Sequence, residues 1–270
     1  MKLFKSLLTV TLATVGMGLL PSAAKAISLS YLNTDQAFKD LNPDLLFVAE
    51  GRIGGNTTYE LDLHDDTNGF SVQTQADTSN GDYWQNGEAS LFSLDYDADT
   101  HQVTYNVAGQ TLSYDYSDKF TQGVTDIFVR TRANDANTKA EVRNLSLTDA
   151  FGTAYDIDGT SEIECSGPSR CSTWRYDETG NPVEDVEGGV QYLRISDFLG
   201  SFSLTGESLF SWMGDAPKQS RLAYQVKVGS ADGGGEGDLE SVPEPATLLG
   251  LALAGGGMAL LKRDRRRETA

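Results

Sequence analysis

The sequence predicts an all-β protein organised as a single β-sandwich of the jelly-roll or lectin-like kind. Three observations carry that prediction. β-Branched and aromatic residues recur in short runs separated by Gly, Asn and Asp, the pattern of strands and turns. Helical periodicity is almost absent, so the crossover helices of a parallel βαβ sheet are missing. Hydrophobic residues make up 39% of the 270 and charged residues 22%, which is core material enough to exclude wholesale disorder.

Taken in order, residues 1–26 stand outside the sandwich. Lys2 and Lys5 precede an uncharged apolar run over 7–20, followed by Pro21 and Ala24-Lys25-Ala26. This is the layout of a secretory signal peptide, with Ala24 and Ala26 forming the small-residue cleavage site, so the mature chain is expected to begin at Ile27. The run is shorter than the ~20 residues needed to cross a bilayer.

Residues 27–229 are expected to form one exported domain. A short helix is predicted over 35–41, capped by Thr34 and stopped by Pro43. Strands are predicted over 46–53, 57–63, 69–75, 88–96, 102–107, 110–116, 124–132, 140–148, 191–196, 201–209 and 221–228. Several alternate as one buried face requires: Val103, Tyr105 and Val107 share a side, as do Leu222, Tyr224, Val226 and Val228, while Ile127 and Val129 oppose Arg130 and Arg132. Ala108-Gly109 reads as a tight hairpin. Polar, Gly- and Pro-containing sequence over 158–189 breaks the strand rhythm and reads as an insertion. It holds both cysteines, Cys165 and Cys171; in an oxidising compartment a disulfide is favoured over free thiols, closing a small loop worth roughly 2 to 3 kcal/mol. Two cysteines without neighbouring histidines make a poor metal site.

Beyond the domain, Gly- and acid-rich residues 230–241 form a linker, followed by Val242-Pro243-Glu244-Pro245 and an uncharged apolar segment over 246–261. As a helix that segment rises about 24 Å, a little under the ~30 Å hydrocarbon core. Lys262, Arg263, Arg265, Arg266 and Arg267 close the chain and would stay cytoplasmic, placing 27–241 across the membrane. The tail resembles the PEP-CTERM sorting signal of bacterial exosortase substrates: Val242, Pro243, Glu244 and Pro245 match its motif, 246–261 its transmembrane part and 262–267 its basic end. The resemblance implies recognition by an exosortase, a membrane-embedded cysteine protease, while the chain is still held in the membrane. Cleavage near the motif and delivery to the cell surface and its exopolysaccharide would follow. The alternative is a permanent single-pass anchor.

The domain itself is similar to the choice-of-anchor domains that accompany such tails, type W in particular. The matching residues are Gly51-Arg52-Ile53-Gly54-Gly55 with Thr58-Tyr59-Glu60-Leu61, the strand pair over 103–112, and 126–133. That family implies a surface module without a settled ligand.

The formal charge is −18, from 39 Asp plus Glu against 21 Lys plus Arg. Both termini are basic, and residues 27–261 alone hold 37 acidic against 13 basic residues. So acidic a domain is repelled by nucleic acid.

Three constellations are candidates for chemistry. Glu60-Leu61-Asp62-Leu63-His64-Asp65 resembles the E-x-D-x-x-E strand motif of lectin-like glycoside hydrolases, whose retaining members need carboxyl groups ~5 to 5.5 Å apart. In a regular strand Asp65 points away from Glu60 and Asp62, so the favoured reading is a solvent face with Leu61 and Leu63 turned in. Asp95, Asp97 and Asp99 look like half of a calcium loop, but the EF-hand glycine is missing and an Asp-rich hairpin turn fits better. Tyr83, Trp84, Tyr114, Tyr116, Trp174, Tyr176 and Trp212 are either core or a stacking platform for sugars. His64 and His101 are the only histidines, and neither has a nucleophile-elbow context. The expectation is a non-enzymatic, exported surface or extracellular-matrix protein without a cofactor. The alternatives are a polysaccharide hydrolase using Glu60, Asp62 and Asp65, or a calcium- or carbohydrate-binding module.

Overall fold

The computed structural model describes residues 27–54, 58–65, 71–78, 83–116, 123–167, 171, 173–176, 182–185 and 189–231. Ala24 and Ala26, the linker beyond Ala231, the Val242 to Pro245 motif, the apolar segment and the basic tail all lie outside the described residues. No helix among the described residues is long and apolar enough to cross a membrane.

The regular structure described is sixteen strands and one short helix. In chain order the elements are β1 (Ser28–Leu32), α1 (Asp35–Asp40), β2 (Asp44–Ile53), β3 (Tyr59–Asp65), β4 (Ser71–Thr78), β5 (Ala89–Asp97), β6 (Gln102–Val107), β7 (Gln110–Asp115), β8 (Asp126–Ala133), β9 (Thr138–Asp149), β10 (Ala154–Ile157), β11 (Ser161–Cys165), β12 (Thr173–Tyr176), β13 (Pro182–Asp185), β14 (Val190–Ser196), β15 (Phe202–Trp212) and β16 (Leu222–Ser230). They form two seven-stranded antiparallel sheets. Sheet A runs β1-β14-β8-β16-β2-β3-β4; sheet B runs β10-β9-β15-β5-β6-β7, with β11 sharing the β9 edge with β10. Among the described residues, β12 and β13 pair only with each other. The arrangement is sandwich-like, as the alternation predicts.

One continuous core joins the sheets. Phe47, Leu61, Leu63, Val129 and Val226 from sheet A meet Leu94, Val103, Leu147, Leu204 and Phe210 from sheet B, all fully buried. Two pairs of polar groups meet inside it. The Tyr105 and Tyr224 hydroxyls meet at 2.5 Å across the two sheets, and Trp84 donates its indole N–H to Ser208 Oγ at 2.9 Å. Gly51 makes room for that indole: a Cβ there would lie 2.7 Å from both Trp84 Cη2 and Tyr224 Cε1.

β9 changes face midway. Thr205 pairs Ser146 and Glu207 pairs Arg143, so Asn144 and Leu145 together oppose Gly206 in a β-bulge, with Asn144 at φ 51°. Ala140 and Val142 therefore point into the core before the bulge, and Leu145 and Leu147 after it.

The outer face of sheet A is partly roofed by α1. Thr34 caps the helix, accepting from the Ala37 N–H at 3.0 Å. Phe38 stacks on Tyr192 with ring centroids 4.8 Å apart and meets Phe128 edge-on at 5.1 Å. Asp35 takes a bidentate pair of hydrogen bonds from Arg130, both 2.9 Å, and a third from the Tyr192 hydroxyl.

Three boundaries differ from the sequence expectation. β16 extends to Ser230, so the strand takes the first residue assigned to the linker. The 158–189 insertion is not strand-free: β11 lies along the first half of β9, because Ser161, at 0% exposure, and Cys165 face inward and continue that sheet. β12 and β13 also fall inside it. Cys165 and Cys171 are disulfide-bonded, with Cα atoms 5.5 Å apart.

Candidate functional site

The charged cluster that the fold assembles lies on the outer face of sheet A and is built by strand register. Antiparallel pairing sets Glu50 opposite Asp62, Arg52 opposite Glu60 and Val48 opposite His64, while β16 places Gln225 beside Glu50. From Phe47 onward the odd-numbered residues of β2, like Tyr59, Leu61 and Leu63 of β3, face the core, so these even-numbered ones share the other face.

That face was expected to be solvated, and here the structure corrects the reading. Asp62 and His64 are each 1% exposed and Glu50 4%. Alternation tells which side a residue takes; it does not tell whether that side is covered. Buried carboxylates need partners, and Arg52 supplies the principal one. Its guanidinium reaches Glu60 at 2.6 Å, Asp62 at 2.9 Å and Glu50 at 3.4 Å. Glu50 also meets His64 Nε2 at 3.4 Å and accepts from Gln225 at 3.1 Å, while Thr58 donates to Glu60 at 2.8 Å.

The same surroundings push the two facing carboxylates apart in proton affinity. Burial raises Glu50, but the hydrogen bond from His64 and the charge of Arg52 outweigh it and hold the group at about 2. For Asp62 burial wins over the pull of Arg52, and the neighbouring charge of Glu50 adds to it, so the carboxyl is pushed up to about 6. An acid/base pair has this character. Here, however, one guanidinium is already shared among all three carboxylates.

The hydrolase triplet does not converge. Glu60 and Asp62 bind Arg52, whereas Asp65 continues the unbroken parity of β3 onto the face of Leu61 and Leu63. Asp65 is 1% exposed and accepts from Gln73 at 3.5 Å. A bulge does occur beside it, but in β4, where Leu63 pairs Thr74 and His64 pairs Val72. A shallow concavity of about 350 Å³ opens on sheet B instead, lined by Leu91, Ser93, Asn106, Asn144, Thr205 and Glu207 among others, and none of the triplet lines it.

The Asp-rich segment is a hairpin turn between β5 and β6. Asp97 accepts from the backbone N–H groups of Asp99 and Thr100 at 2.9 and 3.2 Å, which holds its carboxyl below the usual range. Among the described residues, no three His, Cys, Asp or Glu side chains gather so as to hold a metal ion, Asp95, Asp97 and Asp99 included. Of the aromatic candidates, Tyr83, Trp84 and Tyr116 are core, and Tyr114 and Trp212 pack against it. The side chains of Trp174 and Tyr176 lie outside those described. Sequence reasoning did not single out Glu50, Arg52 or Gln225 as site residues. The available signal was the pair of charges flanking Gly51, which acquires meaning only once β2 is set in register against β3.

No protein-family model matches the chain, and no curated protein matches it.

Proposed function

We propose that this is an exported, non-enzymatic surface or matrix protein whose β-sandwich is delivered by a PEP-CTERM-like tail, held in the membrane before an exosortase cleaves it. The observation that carries the reading is the order of three sequence elements behind an acidic spacer: Val242-Pro243-Glu244-Pro245, the apolar 246–261 segment and the basic 262–267 cluster, in a chain that opens with a signal-like segment. Two features of the domain support it. The Cys165–Cys171 disulfide belongs in an oxidising compartment, and β1 starts at Ser28, two residues past the expected cleavage at Ala26. At the finer level, the sandwich belongs to the jelly-roll or lectin-like kind, of a choice-of-anchor type. The test is an epitope tag placed after Arg267. It is expected to be missing from the mature surface protein, and its retention there would overturn processing in favour of a permanent anchor.

One observation favours a second reading, a polysaccharide hydrolase: strand register sets the Glu50 and Asp62 carboxylates opposite each other, with Glu60 on the same face. Hydrolysis of an exopolysaccharide, abolished by Glu60→Gln or Asp62→Asn, would establish it. Binding on a glycan array without turnover, or a rise in melting temperature on adding calcium, would instead favour a binding module.

A further inference from the structure

Strand register places both ends of the sandwich at one pole. Ser28 pairs Ser196, Ser196 pairs Asp126, and Asp126 pairs Gly229, so the start of β1 and the end of β16 stand in one row of sheet A. Three strand spacings separate them, about 14 Å. The chain before Ile27 and the chain after Ala231 therefore leave from the same end. The chain after Ala231 carries the apolar 246–261 segment by which the protein would be held in a membrane.

The same pole displays apolar side chains on well-anchored turns. Phe151, between β9 and β10, is 89% exposed. Its turn is fixed by Asp149, which accepts from the N–H groups of Phe151 and Thr153, both at 2.9 Å, and from the Tyr155 hydroxyl at 3.0 Å. Leu199, between β14 and β15, is 63% exposed, and the Gly200 N–H beside it donates to the Val124 carbonyl at 3.1 Å. The opposite pole carries the Ala108-Gly109 hairpin, Met213, and the end of β11, where Cys165 pairs Thr138.

We infer that the sandwich is mounted by its terminal pole, with Phe151 and Leu199 set into a zwitterionic lipid surface and the disulfide-bearing pole presented outward. The inference rests on the proposed membrane-held stage. Asp97 and Asp149, at the ends of β5 and β9, and Asp99 and Asp197, in the turns of the terminal pole, disfavour an anionic surface and so point to a zwitterionic one. An anchoring side chain at such a surface sits roughly 5–10 Å into the headgroup boundary.

The test uses the full chain with phosphatidylcholine vesicles, in plain and chain-brominated form. Flotation with the vesicles reads the membrane-held stage. Three separate variants, Phe151→Trp, Leu199→Trp and Met213→Trp, each add one indole at an exposed position to a common background. Brominated lipid is expected to remove about half or more of the added emission at 151 and 199 and to leave that at 213 unchanged, because only the first two reach the boundary. Flotation with equal quenching at all three positions, or with none, overturns the mounting and leaves the membrane-held stage standing. A chain that does not float overturns both.

Discussion

Replacing Asp62 by Asn should stabilise this protein at neutral pH, although it removes a partner of Arg52. Asp62 is 1% exposed and its carboxyl is pushed up to about 6 from an ordinary 3.8. The folded state therefore binds the proton more tightly than the unfolded chain. The stability this confers is fully present below about pH 4 and is lost as pH rises through about 6. At roughly 1.4 kcal/mol per pKa unit, keeping Asp62 charged at pH 7 costs about 2 to 3 kcal/mol, which a neutral isostere avoids. The assay is urea unfolding followed by tryptophan fluorescence between pH 4 and pH 7. Asp62→Asn should gain about 2 kcal/mol at pH 7, gain nothing at pH 4, and lose the decline in between. The neighbouring Glu50 provides the opposite sign. Held at about 2, it contributes stability above its ordinary 4.5 that is lost as pH falls through about 2, so Glu50→Gln should cost about 3 kcal/mol at pH 7. Destabilisation by both substitutions at pH 7 would refute the assignment of Asp62 as the strained member of the pair.

Gly51→Ala puts a methyl 2.7 Å from Trp84 and Tyr224 and should cost about 1 to 3 kcal/mol by overpacking, read as a lower melting temperature with altered tryptophan emission. Reduction of the disulfide, or Cys171→Ser, should lower stability by about 2 kcal/mol, since the bridged cysteines are six positions apart and the closed loop is small. Thiol counting with and without reductant checks the bond directly. Thr34→Ala removes the cap on α1 and should cost about 1 kcal/mol, with faster amide exchange at Ala37 than in β2 or β16.

The fold was legible where local patterning and tertiary burial agree. Each of the eleven strand runs expected from alternation has its counterpart, and Gln102–Val107 matches residue for residue. β1 escaped because Ser28 to Tyr31 are exposed, so an edge strand left no burial signature. β10 and β11 escaped because they are only four and five residues long and take their place from pairing along β9. The bulge at Asn144 interrupts the alternation of β9 by one residue, a slip with no local marker beyond the asparagine itself. At the site, Glu60 and Asp62 were visible because they sit two apart on one strand. Glu50 and Arg52 come from the neighbouring strand β2 and Gln225 from the distant β16, and they meet Glu60 and Asp62 only through register. That the outer face is buried at all depends on what packs over it, and alternation within a strand contains no such information.

The positions of β15 and β16 bear on how the chain reaches its final state. They are the last two strands among the described residues, yet β15 lies between β9 and β5 and β16 between β8 and β2, in the interior of each sheet. Until residues 202–230 arrive, each sheet is split into two halves with open edges, and the hydroxyl contact between Tyr105 and Tyr224 cannot form. Folding is thus non-local and slow by topology. A chain emerging N-terminus first stays unfinished until its final strands follow, and truncation before Phe202 should leave an aggregation-prone remnant rather than a smaller domain.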